Sequence, residues 1–422
     1  MYRKHTFPNG LRLVTVPLKN TKAVTVLILV GAGSKYENKK NNGISHFLEH
    51  MFFKGTKKRP TTLAISETLD KVGGEYNAFT SKEYTGYWAK VDNKHLDLAL
   101  DWVSDIFINS KLDSREIEKE KKVIIEEINL YLDTPVKYVD DLWEKLLYGD
   151  QPAGWSIAGE KNSVKKITRQ NLLNYLKNYY SSKNTVVVIA GGIPNNRNIG
   201  EKIKRYFEKI NQKTPKPKKR TIEKQTKPQV LIQYKKTDQA HLCLGVRTFS
   251  LFDSKKYALL LLSVILGGNM SSRLWISFRD REGLGYYIHT SNELYTDSGY
   301  LVTKAGVDNK RIEKAIELIL GEYRRVAKEG VKELELRKAK DYVKGSTILR
   351  LESSSAVAHF YGGQELLTGK ILTPEEKFAK IEAVTVDDIF KVANDIFRPE
   401  KLNLALIGPF KNKEKFKKLL SA

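Results

Sequence analysis

One cysteine, Cys243, is all that the 422 residues contain. No internal disulfide can staple such a chain, and that usage fits a reducing compartment. Long apolar runs are also missing. The most apolar stretches, Ala23 to Gly33 and Tyr257 to Leu266, are about half of the roughly 20 residues that a spanning helix needs. The opening MYRKHTFPNGLRLVTV has no apolar core for a signal peptide. We therefore expect a cytoplasmic chain with no membrane partner. Acidic residues are outnumbered, 49 against 73 Lys and Arg, giving a formal net charge of +24. A balance of that size suits nucleic acid or an anionic membrane. The basic residues, however, are scattered through amphipathic segments, and no nucleic-acid module appears, so nucleic acid is not an expected partner.

With 41% hydrophobic and 29% charged residues, the chain reads as globular and long enough for more than one core. Phe7 to Pro17 reads as a strand broken by an Asn9-Gly10 turn, and Ala23 to Val30 as a strand buried on both faces. Helices are expected at about Thr62 to Val72, His95 to Asn109 and Ser114 to Leu132, with a strand–turn–strand segment over Glu75 to Val91. Two more helices and the strand Thr185 to Ala190 close this half. Asn211 to Gln229, NQKTPKPKKRTIEKQTKPQ, has three prolines and no aromatic residue, the composition of an exposed linker. Beyond it the pattern repeats. Ile167 to Ile193 aligns without gaps on Val384 to Phe410, so that Thr168 falls on Thr385 and Gly191 on Gly408 at one constant shift. The expected organisation is residues 1–210, a linker at 211–229, and a homologous domain at 230–422. The fold class is α+β, two homologous α/β halves, each a mainly antiparallel sheet packed with helices.

The stretch Gly43 to Gly55, GISHFLEHMFFKG, carries the chemistry. As a helix it places Ile44, Phe47, Leu48, Met51 and Phe52 on one apolar stripe. His46, Glu49 and His50 then share a neighbouring face, one turn apart. Two imidazoles at that spacing can meet at one metal ion, and the carboxylate between them can reach a water bound to it. The order His-x-x-Glu-His reverses the commoner zinc motif. The other reading is two histidines hydrogen-bonded inside a core. Under the shift that carries Thr168 onto Thr385, the three fall on Ser263, Leu266 and Gly267. None of these is a ligand, so a metal belongs to the first half alone.

Catalytic zinc takes three protein ligands and keeps one open position. The helix from Glu116 to Leu132 supplies a candidate. Its apolar stripe of Ile117, Val123, Ile124, Ile128 and Tyr131 includes Glu120 and Glu127, seven residues apart, whereas Glu126 lies on the wet side. Buried carboxylates need a cation or a paired base. Glu127 is the candidate third ligand and Glu120 a group that orients a ligand; salt bridges to nearby lysines are the alternative.

These motifs resemble the pitrilysin/insulinase family of zinc peptidases, in the short-chain group that includes processing peptidases. In that family His-x-x-Glu-His is followed after about 76 residues by a Glu, and 76 residues separate His50 from Glu127 here. The likeness extends to GGEYNAFTSKEYTGYW, to LYLDTPVKYVDDLWEKLLYGDQPAGWSIAGE and to GGNMSSRLWISFRDREGLGYYI, and so over most of the chain. It implies a zinc metalloendopeptidase with one Zn²⁺ per chain on His46, His50 and Glu127, and Glu49 as general base and then acid. It implies that Asn77, Ala78 and Phe79 form an exposed sheet edge to which a peptide substrate adds as a strand, although the residues alone read equally well as an ordinary strand and turn. It matches Arg279 and Tyr286 to an Arg–Tyr pair that anchors substrate and stabilises the oxyanion. Short relatives work in pairs, so a homodimer closing like a clamshell is expected, or a heterodimer with a homologue that lacks the motif. A non-catalytic partner or scaffold subunit is the competing function.

Overall fold

In the computed structural model, which describes residues 2–194, 198–285 and 287–421, the chain opens with strands β1 (Arg3–Thr6) and β2 (Arg12–Pro17). Gly10 turns between them at φ +86°, and Asn9 Oδ1 accepts the Leu11 N–H at 3.0 Å. The strand expected from Phe7 thus starts at Arg3, with Phe7 in the connection. The first half continues through β3 (Ala23–Val30), α1 (Ile44–Met51), α2 (Thr62–Asp70), β4 (Glu75–Thr80), β5 (Thr85–Asp92), α3 (Leu96–Asn109), α4 (Ser114–Asp133), α5 (Pro135–Tyr148), α6 (Lys161–Lys166), α7 (Arg169–Tyr179), β6 (Thr185–Gly191) and α8 (Ile199–Tyr206). The second half runs β7 (Gln229–Tyr234), β8 (Gln239–Thr248), α9 (Lys256–Gly267), α10 (Arg273–Trp275) and a π-helical turn at Ile276–Arg281. It continues through β9 (Tyr287–Leu294), β10 (Gly299–Asp308), α11 (Ile312–Glu329), α12 (Glu333–Arg350), α13 (Ser354–Thr368), α14 (Pro374–Glu382), α15 (Val386–Ile396), β11 (Leu402–Gly408) and α16 (Lys413–Ser421). Helix α1 ends at Met51, short of Gly55. Helices α5, α6 and α7 fill the span read as two helices, and α8 follows β6 where the half was expected to close.

Two sheets result, ordered β1-β2-β6-β3-β5-β4 and β7-β11-β8-β10-β9. The parallel pairs are β2 with β6 and β7 with β11, and the remaining neighbours are antiparallel. The fold is therefore α+β, with the same strand order in both halves apart from β1. The repeat is visible residue by residue: the shift that carries α7 onto α15, first residue to last, also carries β6 onto β11. Thr168 with Asn171 and Thr385 with Asp388 form equivalent capping boxes at the two helix starts, each satisfying otherwise unpaired N–H groups.

Packing divides the chain into two compact units that cross the sequence halves. The first comprises residues 1–129, 156–219 and 348–372, and the second residues 130–155, 220–347 and 373–422. The division at 211–229 had assigned α5 to the first half and α13 to the second. Instead α13 buries Val357, Ala358 and Tyr361 against Leu27, Leu29, Val186 and Val188 of β3 and β6. The opposite face of β3 packs Val24, Val26 and Ile28 into the core that holds α1 and α3, which is why that strand is apolar at nearly every position. Gly362 permits the close approach of α13: a Cβ there would lie 2.7 Å from Val188 and 2.8 Å from Leu29. In the second unit, α5 buries Val139, Leu142 and Trp143 with Cys243, Val302, Ala405 and Ile407. Residues 211–228 have no helix or strand, yet they are not simply exposed. Lys218 Nζ stands 3.3 Å from Glu83 Oε1 in the first unit, and Thr221 donates from its N–H to Asp297 at 3.0 Å in the second.

Candidate metal centre

Helix α1 is held in place before any metal is considered. Its stripe of Ile44, Phe47, Leu48, Met51 and Phe52 is fully buried. Gly43 precedes it at φ +96°, a left-handed conformation that favours glycine. The carboxylate of Glu37, buried, accepts from the N–H groups of Gly43 at 2.7 Å and Ser45 at 2.9 Å and from the Asn42 side chain at 2.9 Å. It therefore satisfies first-turn donors and complements the positive end of the helix. Burial raises the Glu37 pKa, and these hydrogen bonds oppose the rise.

With α1 so fixed, His46 and His50 project beside α4. Their Nε2 atoms are 3.3 Å apart, and Glu127 Oε2 lies 3.6 Å from the first and 3.5 Å from the second. Among the described residues, this is the only group of three or more His, Cys, Asp or Glu side chains whose ligand atoms converge in this way. Donors about 2.0–2.1 Å from a tetrahedral ion stand about 3.3–3.4 Å from one another, so the triangle has the dimensions of a zinc site. The protonation pattern agrees. Glu120, nearly inaccessible, has Oε1 2.8 Å from His50 Nδ1. The carboxylate can only accept, so Nδ1 keeps its proton and donates to it, and the lone pair faces the triangle from Nε2. Burial, and then the neighbouring His50, push the His46 pKa down to about 3, so the His46 ring is neutral at ordinary pH. His46 Nδ1 is buried without a partner. Two lone pairs and a carboxylate oxygen pointed at one spot repel unless a cation lies between them, so the residues fit zinc.

Glu120 also takes Lys54 Nζ at 2.7 Å. Its pKa is lowered: burial raises it, but hydrogen bonds from His50 and Lys54 outweigh that. The lysine salt bridge considered as an alternative is therefore present together with the histidine contact. Glu126 is on the wet side, accepting from Asn129 at 3.1 Å. The stripe on α4 is narrower than expected. Ile117, Ile124 and Ile128 are buried, but Val123 is 50% and Tyr131 38% exposed, because α4 buries only the sector around Glu120 and Ile124.

Glu49 is not one of the three converging groups. Its Oε2 accepts from the Thr80 hydroxyl at 2.5 Å. Burial raises its pKa, and the Thr80 hydrogen bond opposes the shift. Thr80 ends β4, the strand of Asn77, Ala78 and Phe79. That strand pairs with β5 and has no strand on its other side among the described residues. The Ala78 N–H donates to the preceding Asn77 Oδ1 at 2.8 Å. Arg279 lies in the π-helical turn of the second unit, its guanidinium 4.6 Å from the centre of the Trp275 ring. Tyr286 lies outside the described residues. In α9, the positions equivalent to the motif are Ser263, Leu266 and Gly267, all buried. The sequence reading missed Thr80, Glu37 and Lys54. Neither the end of the edge strand at Thr80 nor the polar loop at Glu37 signals its contact with α1.

Among the described residues, a duplicated α+β chain with a two-helix His–His–Glu cluster in the first half alone defines a class of proteins built to bind a metal ion. The comparisons narrow it. Residues 12–161 match the family described as Insulinase (Peptidase family M16) and residues 166–343 the Peptidase M16 inactive domain. An uncharacterized zinc protease of Bacillus subtilis, YmxG, is 36% identical over 98% of this chain and 99% of its own. An uncharacterized zinc protease of Streptomyces coelicolor is 33% identical over 98% and 90%. A crystal structure of a protease from Helicobacter pylori superposes with a TM-score of 0.89 at 25% identity, covering 97% of this chain and 99% of that one. The chain belongs to the M16 (insulinase) family of zinc proteases. Among the described residues no helix is long and apolar enough to cross a membrane.

Proposed function

We propose that this chain is a zinc-dependent endopeptidase acting on peptides and extended polypeptide segments, with one zinc ion on His46, His50 and Glu127. The observation that carries the reading is the convergence of those three donor atoms within 3.6 Å, with Glu49 outside the set and hydrogen-bonded to Thr80. Zinc bound there supplies a Lewis acid and brings the pKa of a water towards neutrality. Glu49 takes the proton of the attacking water and then gives it to the departing amine nitrogen. Its raised pKa moves a carboxylate towards the working pH, as a general base and acid requires. Glu120 keeps the His50 ring turned with Nε2 outward. The free edge of β4 at Asn77, Ala78 and Phe79 receives the substrate as an added strand, read through backbone more than side chains. Arg279 anchors a substrate carbonyl or carboxylate, and Tyr286 donates to the oxyanion; these two roles rest on the family resemblance.

The working unit in this reading is a homodimer, or a heterodimer with a motif-lacking homologue, that encloses peptide substrates as a clamshell in the cytoplasm. The competing reading, a non-catalytic partner subunit, draws on the match of residues 166–343 to the family's inactive domain. That match covers the stretch without ligands, and the donor set lies within residues 12–161. The test is Glu49→Gln: zinc stays at one per chain while cleavage of a quenched-fluorescent peptide is lost, and the active wild-type particle runs at twice the 48.2 kDa chain mass. Undiminished cleavage by Glu49→Gln contradicts the mechanism, and full activity in a monomer contradicts the dimer.

A further inference from the structure

Thr80 occupies a position that the zinc chemistry alone does not call for. It is the last residue of β4, paired across the hairpin with Thr85. Its hydroxyl reaches across 31 residues of sequence to Glu49 Oε2 at 2.5 Å, the short separation of a charge-assisted bond. Glu49 stands one turn of α1 from His46 and beside His50, so an unrestrained carboxylate there can swing onto the cation as a further ligand and cease to act as a base. Only one oxygen of Glu49 is engaged by Thr80, which leaves the other available to a proton. The strand that carries Thr80 is the one with a free edge, and an extended peptide pairing along residues 77–79 would fix the backbone of Thr80 as well.

We infer that Thr80 is a positioning residue: its hydroxyl holds the Glu49 carboxylate off the metal and aims it at the water, so that docking of a substrate strand on β4 and alignment of the base are mechanically linked. The inference rests on the zinc-peptidase reading above. It predicts that side-chain chemistry at residue 80 changes turnover more than substrate binding, and also changes how tightly the ion is held, because a released Glu49 becomes an extra ligand.

Thr80→Val keeps the shape and strand preference of the side chain and removes only the hydroxyl, while Thr80→Ser keeps the hydroxyl. In Thr80→Val we expect kcat on a quenched-fluorescent peptide to fall at least tenfold, KM to stay within about twofold, and zinc release to a chelator to slow at least threefold. In Thr80→Ser we expect kcat to return to within about threefold of wild type and zinc release to within about 1.5-fold. Unchanged zinc release in Thr80→Val overturns the proposal whatever the activity. A kcat loss that Thr80→Ser fails to restore also overturns it, since packing and not the hydroxyl would then be responsible. If zinc-loaded wild type cleaves no peptide, the peptidase reading fails by itself, and zinc release still decides the role of Thr80.

Discussion

His46 shows how far one side chain's surroundings can be read. Its pKa is pushed from 6.5 to about 3, by burial first and then by His50. In the unfolded chain the same ring takes a proton near pH 6.5, so the folded, metal-free protein binds fewer protons between those values. The contribution is a depressed folded-state pKa: it is fully present above pH 6.5 and is lost as pH falls towards 3. At about 1.4 kcal/mol per unit, it is on the order of a few kcal/mol. Metal-free wild type should therefore lose Tm between pH 6.5 and 5 more steeply than His46→Gln; parallel curves for the two would show that the ring is not desolvated. At this scale the sequence was legible where chemistry and spacing coincide, as in the convergence of His46, His50 and Glu127 and the contact of Glu120 with His50. It was not legible where one residue acts on another from afar. Neither the polar loop around Glu37 nor the strand end at Thr80 indicates which helix residue it will bond, because that contact exists only once the layers are packed.

At the scale of elements, periodicity located β3, α3, α4 and the β4–β5 hairpin closely. It misjudged the faces of α4, since Val123 and Tyr131 match the stripe in spacing while the burying surface covers a narrower sector. The proposed substrate strand makes an element-level prediction. The Ala78 N–H is held by the Asn77 side chain on a strand whose outer side carries no neighbouring strand among the described residues. Proline is tolerated on an edge strand but cannot donate. Ala78→Pro should leave zinc content and Tm nearly unchanged and lower kcat/KM about tenfold, mainly through KM, in steady-state peptide hydrolysis. Unaltered kcat/KM would argue against strand addition at this edge.

For the whole molecule, the duplication was readable from the constant shift between the two halves, but the exchange of α5 and α13 was not. An amphipathic helix announces that it buries a face, and its sequence does not say against which sheet. The consequence is that the linker is not a cleavage point between two independent folds. A chain of residues 1–210 lacks α13 and so uncovers Leu27, Leu29, Val186 and Val188, at roughly 1.5–3 kcal/mol each. It also loses the bond from Ser354 to the buried Thr25, at 2.9 Å, and the ion pair of Lys4 with Glu365, at 2.8 Å. Set against the about 5–15 kcal/mol of a typical domain, this should leave the fragment without a cooperative thermal transition by circular dichroism. A sharp transition in that fragment would contradict the exchange.

All of these scales meet in the claim that two helices bring three side chains to one ion. The most direct measurement is anomalous diffraction at the zinc absorption edge from crystals of the full chain grown with zinc. The account predicts one strong peak per chain, about 2.0–2.2 Å from His46 Nε2, His50 Nε2 and Glu127, with Glu49 not in contact with it. No peak at that point, or a peak bound by Glu49 in place of Glu127, would contradict it.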